Sequence, residues 1–226
     1  MGFPFFMVID FHIHSKYSFD CFLEPQKIIG LARRCHIDGL AITDHDTMAG
    51  VAEFKRLAPD LYIISAQEIS TKDGDILGLF LRDEIKPNPD ARAVIGQIKA
   101  QGGLAILAHP FKWPHVSRRD DFLEEFDAIE VFNARNNIPL PYFENFKARM
   151  AVGRLDLPCV AGSDTHEGFE MGRAKTVFDF QTLEASDEKI KSAILERRVI
   201  IEGKEVFLPL EVISHFSRNF KGLFKK

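Results

Sequence analysis

Short apolar runs alternate with stretches of helical spacing along most of this chain. Runs rich in β-branched and aromatic residues predict strands near 5–10, 39–43, 61–66, 76–81, 104–108, 128–132 and 158–162. Between the first two, Glu24–Cys35 places Ile28, Leu31, Ala32 and Cys35 on one helical face, with Pro25 suited to the first turn. Met48–Leu57 and Phe143–Val152 read as helices, and so does Ala91–Gln101, opened by Asn88 and Pro89. The link from 61–66 to 76–81 is too short for a helix and carries the turn signal Asp73-Gly74. This alternation, with one irregular crossover, predicts an α/β fold: a distorted seven-stranded β/α barrel. Residues 174–180 offer a further strand, and Ser186 caps a helix to about Arg197 with Asp187 and Glu188 in its first turn. From about Leu208 the pattern predicts a C-terminal helical extension, in which Val212, Ile213, Phe216, Phe220, Leu223 and Phe224 fall near one face. Arg218, Lys221, Lys225 and Lys226 add positive charge there, so a helix docked on the barrel has a membrane-surface helix as its alternative.

Composition narrows the classes. A chain of 226 residues can bury a sizeable core as one large domain, and 21 phenylalanines with 46% hydrophobic content exclude a disordered chain. The net charge of -4 gives no reason to expect broad, sequence-independent nucleic-acid binding. Cys21, Cys35 and Cys159 are odd in number and widely spaced, which speaks against a disulfide framework or zinc knuckle and points to a reducing cytoplasm. No apolar run reaches membrane-spanning length, and the start MGFPFFMVID lacks the basic region of a signal peptide. No membrane contact and no obligate protein partner are expected.

The chemistry lies where the apolar runs stop. The first strand ends in Asp10-Phe11-His12-Ile13-His14, with Asp20 soon after, and the second in Asp44-His45-Asp46. The third runs into Glu68, the fifth into His109-Pro110, the sixth into Asn133 and the seventh into Asp164-Thr165-His166. In a β/α barrel the carboxyl ends of the strands share one face, so residues 150 positions apart in sequence meet at one mouth. Alternation puts both histidines of His12-Ile13-His14 on the same side of their strand. Such a gathering of imidazoles and carboxylates is costly to bury unless something cationic binds it. The nitrogen and oxygen ligand set, without cysteine, fits zinc, manganese or iron with open positions. The ligands exceed what one ion can coordinate, and carboxylate bridging between ions about 3.5–4 Å apart is the usual solution. His36 at a helix end, His115 in a loop and His215 in the terminal helix stand outside this set.

DFHIHSKYSFD, AITDHDTMAG, SAQEIS, LAHPF and GSDTHE occur in an order that resembles the PHP family, the polymerase and histidinol phosphatase domains. The resemblance spans about residues 7–180 and implies a single PHP domain over 1–226, with 162–226 including the family's C-terminal associated segment. It implies metal-dependent phosphoesterase activity and two or three divalent ions. His12, His14, Glu68 and Asp164 would hold the first ion, Asp20, His45 and His166 the second, and Glu68 with His109 a third. Two departures stand out. Phe19 separates Ser18 from Asp20, and Gly74-Asp75 stands where many members have glycine-histidine, which leaves Asp75 as an altered third-site ligand.

The expected reaction is hydrolysis of a phosphate ester by a metal-bound hydroxide, formed because bridged ions lower the pKa of water to about 7. Arg135, just past the sixth strand, is the leading candidate for gripping phosphate oxygens, with Asn133, Arg173 and Lys112 as further substrate-binding candidates. The short stand-alone members that the chain resembles act on nucleotides, including 3′,5′-bisphosphates and the 5′ ends of short oligonucleotides. Histidinol phosphate or another small phosphate ester is the alternative. An amidohydrolase is the rival hydrolase, although no lysine ends a central strand to bridge two ions. A non-catalytic metal-bound module of a nucleic-acid complex is the rival of another class.

Overall fold

The computed structural model describes residues 6–112, 119–135 and 143–204. Buried Met7, Ile9, Phe11 and Ile13 make β1 (Met7–Ile13) an interior strand, flanked by β2 (Gly39–Ile42) in parallel and β8 (Ala174–Phe178) in antiparallel register. The sheet has nine strands in the order β7-β6-β5-β4-β3-β2-β1-β8-β9, the others being β3 (Tyr62–Thr71), β4 (Gly74–Leu79), β5 (Leu104–Leu107), β6 (Ala128–Asn133), β7 (Cys159–Gly162) and β9 (Val199–Gly203). The helices are α1 (Pro25–Arg34), α2 (Val51–Leu57), α3 (Ala91–Ala100), the single turn α4 (Asp120–Leu123), α5 (Glu144–Leu155) and α6 (Asp187–Leu195). As expected from the sequence, Pro25 opens α1 and Ser186 caps α6, its Oγ accepting from the Lys189 N–H at 3.2 Å. One apolar cluster, with Ile9, Phe11, Leu77, Ile106 and Phe178, runs from the sheet to α6; two more pack under α1–α2 and α3–α5.

The barrel departs from the expected seven strands in ways that bear on the site. β4 runs antiparallel to both β3 and β5, while β1, β2, β3, β5, β6 and β7 share one direction. The mouth therefore receives the carboxyl ends of six strands and the start of β4. β3 continues to Thr71 in a hairpin with β4, so Glu68 lies inside the strand rather than after it. β8 corresponds to the further strand expected at 174–180. β9 has no counterpart in the sequence reading: α6 stops at Leu195, and the chain reverses through Arg197 in left-handed backbone (φ 58°). The expected terminal helix from Leu208, with His215, and the loop carrying His115 lie outside the described residues. Among the described residues no helix is long and apolar enough to cross a membrane.

The ring closes between β7 and β1 partly through side chains. At the mouth, the His14 N–H donates to Thr165 O (3.1 Å) and the Asp164 N–H to His12 O (2.9 Å). Below it, Asp10 Oδ1 accepts from Ser163 N–H (2.9 Å) and His12 N–H (3.2 Å), and burial lifts the Asp10 carboxyl to about 7. On the far side Thr176 Oγ1 accepts from the Ala161 N–H at 2.9 Å. Gly162 sits in this seam with no room for a side chain. A Cβ there would lie 2.2 Å from His12 Cβ and 2.7 Å from Glu130 Oε1.

Candidate metal centre

His12 comes from β1 and His14 from the residue directly after it, His45 from the loop after β2, Glu68 from β3, His109 from the loop after β5, and Asp164 and His166 from the loop after β7. All seven, with Asp20 from the β1–α1 loop, converge at the mouth. Their ligand atoms fall into three overlapping groups, each within 4.8 Å: His14, Asp20, His45 and His166; His12, His14 and Asp164; His12, Glu68 and His109. His12 and His14 are thus each shared, where the family pattern assigns both to one ion. Asp75 is outside all three groups. It is half-buried at the start of β4 opposite Ser70, and its charge acts on Asp46, whose carboxyl is raised chiefly by burial. His109 (φ 26°) and Asp164 (φ 54°) take left-handed backbone, a conformation His and Asp tolerate better than most residues and one that re-aims a side chain where a strand ends.

Hydrogen bonds fix which nitrogen His12 and His14 each offer. His12 Nδ1 lies 2.9 Å from Glu130 Oε1, and an ionised carboxylate can only accept, so Nδ1 carries the proton. His14 Nδ1 lies 3.0 Å from Ser18 Oγ, which spends its own proton on Asp44 Oδ1 at 3.0 Å and therefore accepts from the imidazole. Nε2 is then the nitrogen each ring turns to the centre, and the two face each other at 3.0 Å, neutral His14 accepting from the second proton that Glu130, Glu68 and Asp164 hold on His12. Glu68 Oε2 stands 3.4 Å and 3.2 Å from them, and Asp164 Oδ1 3.7 Å and 3.4 Å. Without that proton the four atoms are all acceptors turned on one buried point, and they repel one another unless a metal cation takes its place. The residues present therefore fit divalent metal.

The electrostatics agree. Burial raises the Glu68 carboxyl, but the charges of His45 and His12 outweigh it and hold the group well below the usual carboxylate range. Burial likewise opposes ionisation of Asp164, and His12, Lys112 and Arg135 overcome it. Burial lowers His14, with His166 and His45 adding to the effect, so it stays neutral and keeps its lone pair. His45 is lowered by burial yet carried up to about 10 by Glu68 and Asp20. Its Nδ1 is 3.0 Å from Glu68 Oε2 without hydrogen-bond geometry, so these two atoms converge on a common space instead of pairing.

Of the expected substrate-binding residues, Asn133 is buried beneath the site, its Nδ2 donating to Glu130 Oε2 at 3.1 Å. Lys112 Nζ stands 3.6 Å from Asp164 Oδ2. Arg135 is nearly fully buried, with Nη1 2.6 Å from His166 Nδ1 and Nε 3.1 Å from Glu170 Oε1. Arg173 donates from Nε to Phe169 O at 2.8 Å, within the turn that follows the β7 loop. Two carboxylates were missed from sequence. Glu130 orients His12 and also accepts from the His109 N–H at 2.7 Å; the signal was a lone acid inside the apolar run Ile129-Glu130-Val131-Phe132. Glu170 accepts from the His166 and Glu167 N–H groups (2.6 and 2.7 Å) and pairs with Arg135, and no periodicity marks it.

Comparison with known proteins places this geometry in a family. A model described as PHP domain matches residues 10–87, and one described as PHP-associated matches residues 143–199. An uncharacterised protein of Methanocaldococcus jannaschii is 37% identical over 141 residues, 57% of this chain and 82% of its own. A second uncharacterised protein of that organism is 30% identical over 192 residues, 80% of this chain and 75% of its own. The fold is shared with a two-domain protein from Bacteroides vulgatus containing a predicted PHP-like metal-dependent phosphoesterase, at a TM-score of 0.69 and 20% identity over 94% of this chain and 70% of that one. The matched PHP segment carries His12, His14, Asp20, His45 and Glu68, the PHP-associated segment carries Asp164 and His166, and these seven meet at the mouth with His109 from the stretch between: the chain belongs to the PHP family.

Proposed function

We propose that the protein is a metal-dependent hydrolase of phosphate esters, with nucleotides as the substrate class: 3′,5′-bisphosphates or the 5′ ends of short oligonucleotides. The observation that carries the metal-dependent reading is the pair of imidazole Nε2 atoms facing each other at 3.0 Å, with Glu68 Oε2 and Asp164 Oδ1 each within 3.7 Å of both. His12, His14, Asp20, His45, Glu68, His109, Asp164 and His166 would hold two or three ions of zinc, manganese or iron. Bound there, such ions supply an activated water at neutral pH and neutralise charge on phosphoryl oxygens.

The chain's own residues account for the remainder. Glu130 and Ser18 set the tautomers of His12 and His14, so both rings present Nε2 without further adjustment. Arg135 and Lys112 place two cations on the Asp164 side, where they attract the substrate phosphate and balance charge that develops on its oxygens. Glu170 holds the Arg135 fork in place, which reduces the entropy lost when the guanidinium takes a bidentate grip. Burial of the acidic members keeps bulk water from screening these charges.

A panel of metal-loaded reactions tests the reading: mononucleotides, bisphosphates, short oligonucleotides and histidinol phosphate, assayed for phosphate or nucleotide release. Release from the nucleotide members is the expected result. Preference for histidinol phosphate would move the substrate class while keeping the chemistry. Ammonia release from nucleosides with no phosphate release would replace it by the amidohydrolase rival.

A further inference from the structure

Phe19 is an apolar side chain held at the surface by a loop with no freedom to hide it. The residue is 53% exposed. A single exposed phenylalanine ordinarily means little, but the backbone here is pinned on both sides. Ser18 donates from N–H to Ser15 O (2.9 Å), from Oγ to Asp44, and accepts from the His45 N–H (2.9 Å). Cys21 is buried, with Sγ 3.4 Å from His14 O and 3.5 Å from His166 O, and the Lys16 N–H closes the loop on Leu23 O at 2.8 Å. One face of the Phe19 ring stacks on the His45 imidazole, with centroids 4.8 Å apart and planes at 27°. His45 in turn packs on His14 at 4.5 Å. Phe19 is also the chain neighbour of Asp20, so it touches one member of the Asp20, His45 and His166 group and adjoins a second.

We propose that Phe19 is a specificity-determining residue: a stacking platform for a planar ring in the organic part of the ester, as in a nucleoside. The inference rests on the phosphoester reading of the same site. A phosphate held beside Asp20, His45 and His166 has Asp164 and Arg135 on its inner side. Its organic group leaves toward solvent, past Phe19. A ring already fixed there loses little entropy on contact, and every nucleobase presents a π-face to it. A sugar phosphate without a base offers no such face. The residue that separates Ser18 from Asp20 would thus select among esters with the same reacting phosphate.

Adenosine 5′-monophosphate and ribose 5-phosphate share one ester linkage and differ by the base, so their kcat/KM ratio isolates the platform. Phe19→Leu keeps an apolar cover on His45 but removes the aromatic face. The expected result is a fall in that ratio of about tenfold, carried by KM for the nucleotide and restored by Phe19→Trp. A ratio unchanged in Phe19→Leu, or lost for both esters alike, overturns the proposal and leaves Phe19 as a support for His45. If the unaltered protein releases phosphate from neither ester, the phosphoester reading has failed for this substrate class. Calorimetric binding of the same two compounds to manganese-loaded protein then decides: about tenfold weaker nucleotide binding in Phe19→Leu upholds the platform, and equal binding or none removes it.

Discussion

The two sides of the metal centre are built differently. On the β1 side, His12 stands on the strand and His14 directly after its end, and each has its outer nitrogen committed to an acceptor: Glu130 for one, and for the other Ser18, whose own proton goes to Asp44. On the β7 side, His166 and Asp164 stand on a loop. His166 Nδ1 there meets the Arg135 guanidinium at 2.6 Å and the Asp164 carbonyl at 3.0 Å, a donor and an acceptor competing for one atom. Donated to the carbonyl, the Nδ1 proton leaves Nε2 as a lone pair toward Asp20, 3.2 Å away. Donation from Arg135 instead puts the proton on Nε2. The strand side is therefore set by the fold before any ion arrives. The loop side is set by which partner takes His166 Nδ1, and a bound phosphate that accepts from Arg135 Nη1, while Nε stays on Glu170, would favour the ligating tautomer.

The strongest perturbation removes the atoms common to the groups. His12→Ala and Glu68→Ala each delete a ligand shared with a neighbouring group or flanked by several histidines. Both are expected to lose bound metal and turnover by more than the roughly 100-fold ceiling of an outer-partner change. Elemental analysis, phosphate release and circular dichroism check this together. Loss of the far-ultraviolet spectrum would instead assign these residues to holding the barrel shut. One step down, the two sides separate. Glu130→Ala should weaken metal affinity about 10- to 100-fold by freeing the His12 ring. Arg135→Ala should leave metal content intact and lower kcat/KM by about tenfold or more, as for loss of a charged hydrogen bond. The reverse assignment, with Arg135→Ala losing metal and Glu130→Ala losing only kcat/KM, would break the contrast.

That contrast was only half legible in the sequence. His12, His14, His45, Glu68, His109, Asp164 and His166 could be found because each follows or interrupts an apolar run, and barrel geometry converts that position into a place at the mouth. Glu130 could have been found by the same reasoning, since an acid inside a buried strand needs a partner. Glu170 could not. It lies in a turn, and its work consists of accepting two backbone N–H groups and one guanidinium that only the folded loop brings near. The closure of the ring was equally invisible, because Asp10 and Thr176 act there as backbone partners across 153 and 15 residues of sequence. β9 is a half-exposed edge strand whose five residues carry no clear alternation, so pattern alone could not separate it from a loop.

A smaller effect follows from His45. Its ordinary value is 6.5, and in the folded protein burial is outweighed by Glu68 and Asp20, which carry it up to about 10. A raised histidine binds its proton more tightly when folded, so its contribution to stability is complete below about pH 6.5 and disappears as pH climbs toward 10. His12, held well above its ordinary value by Glu130, Glu68 and Asp164 against burial, acts in the same direction. Metal-stripped protein should therefore melt at progressively lower temperature across that window. In loaded protein the ion occupies the place of the proton, and the decline should flatten. Parallel declines with and without metal would mean that His45 does not face an ion.

The smallest expected effect is the sharpest test of where the centre ends. The family pattern puts a histidine ligand of a third ion where Asp75 stands, yet His12, Glu68 and His109 already form a group of their own without it. Asp75 lies half-buried at the start of β4, and its charge is felt at Asp46, which accepts from the Ser70 N–H at 2.9 Å. Asp75→Asn removes the charge while keeping the shape. If the three groups are complete, metal stoichiometry is unchanged, and the measurable consequence is a lower Asp46 pKa, because one of the charges raising it is gone. A carbon-13 carboxyl titration reads that shift, and a metal titration reads the stoichiometry. Losing one equivalent of metal in Asp75→Asn would extend the centre to β4 and restore Asp75 as a ligand. Keeping every equivalent would confine it to β3 and the ends of β1, β2, β5 and β7, where the donor atoms already meet.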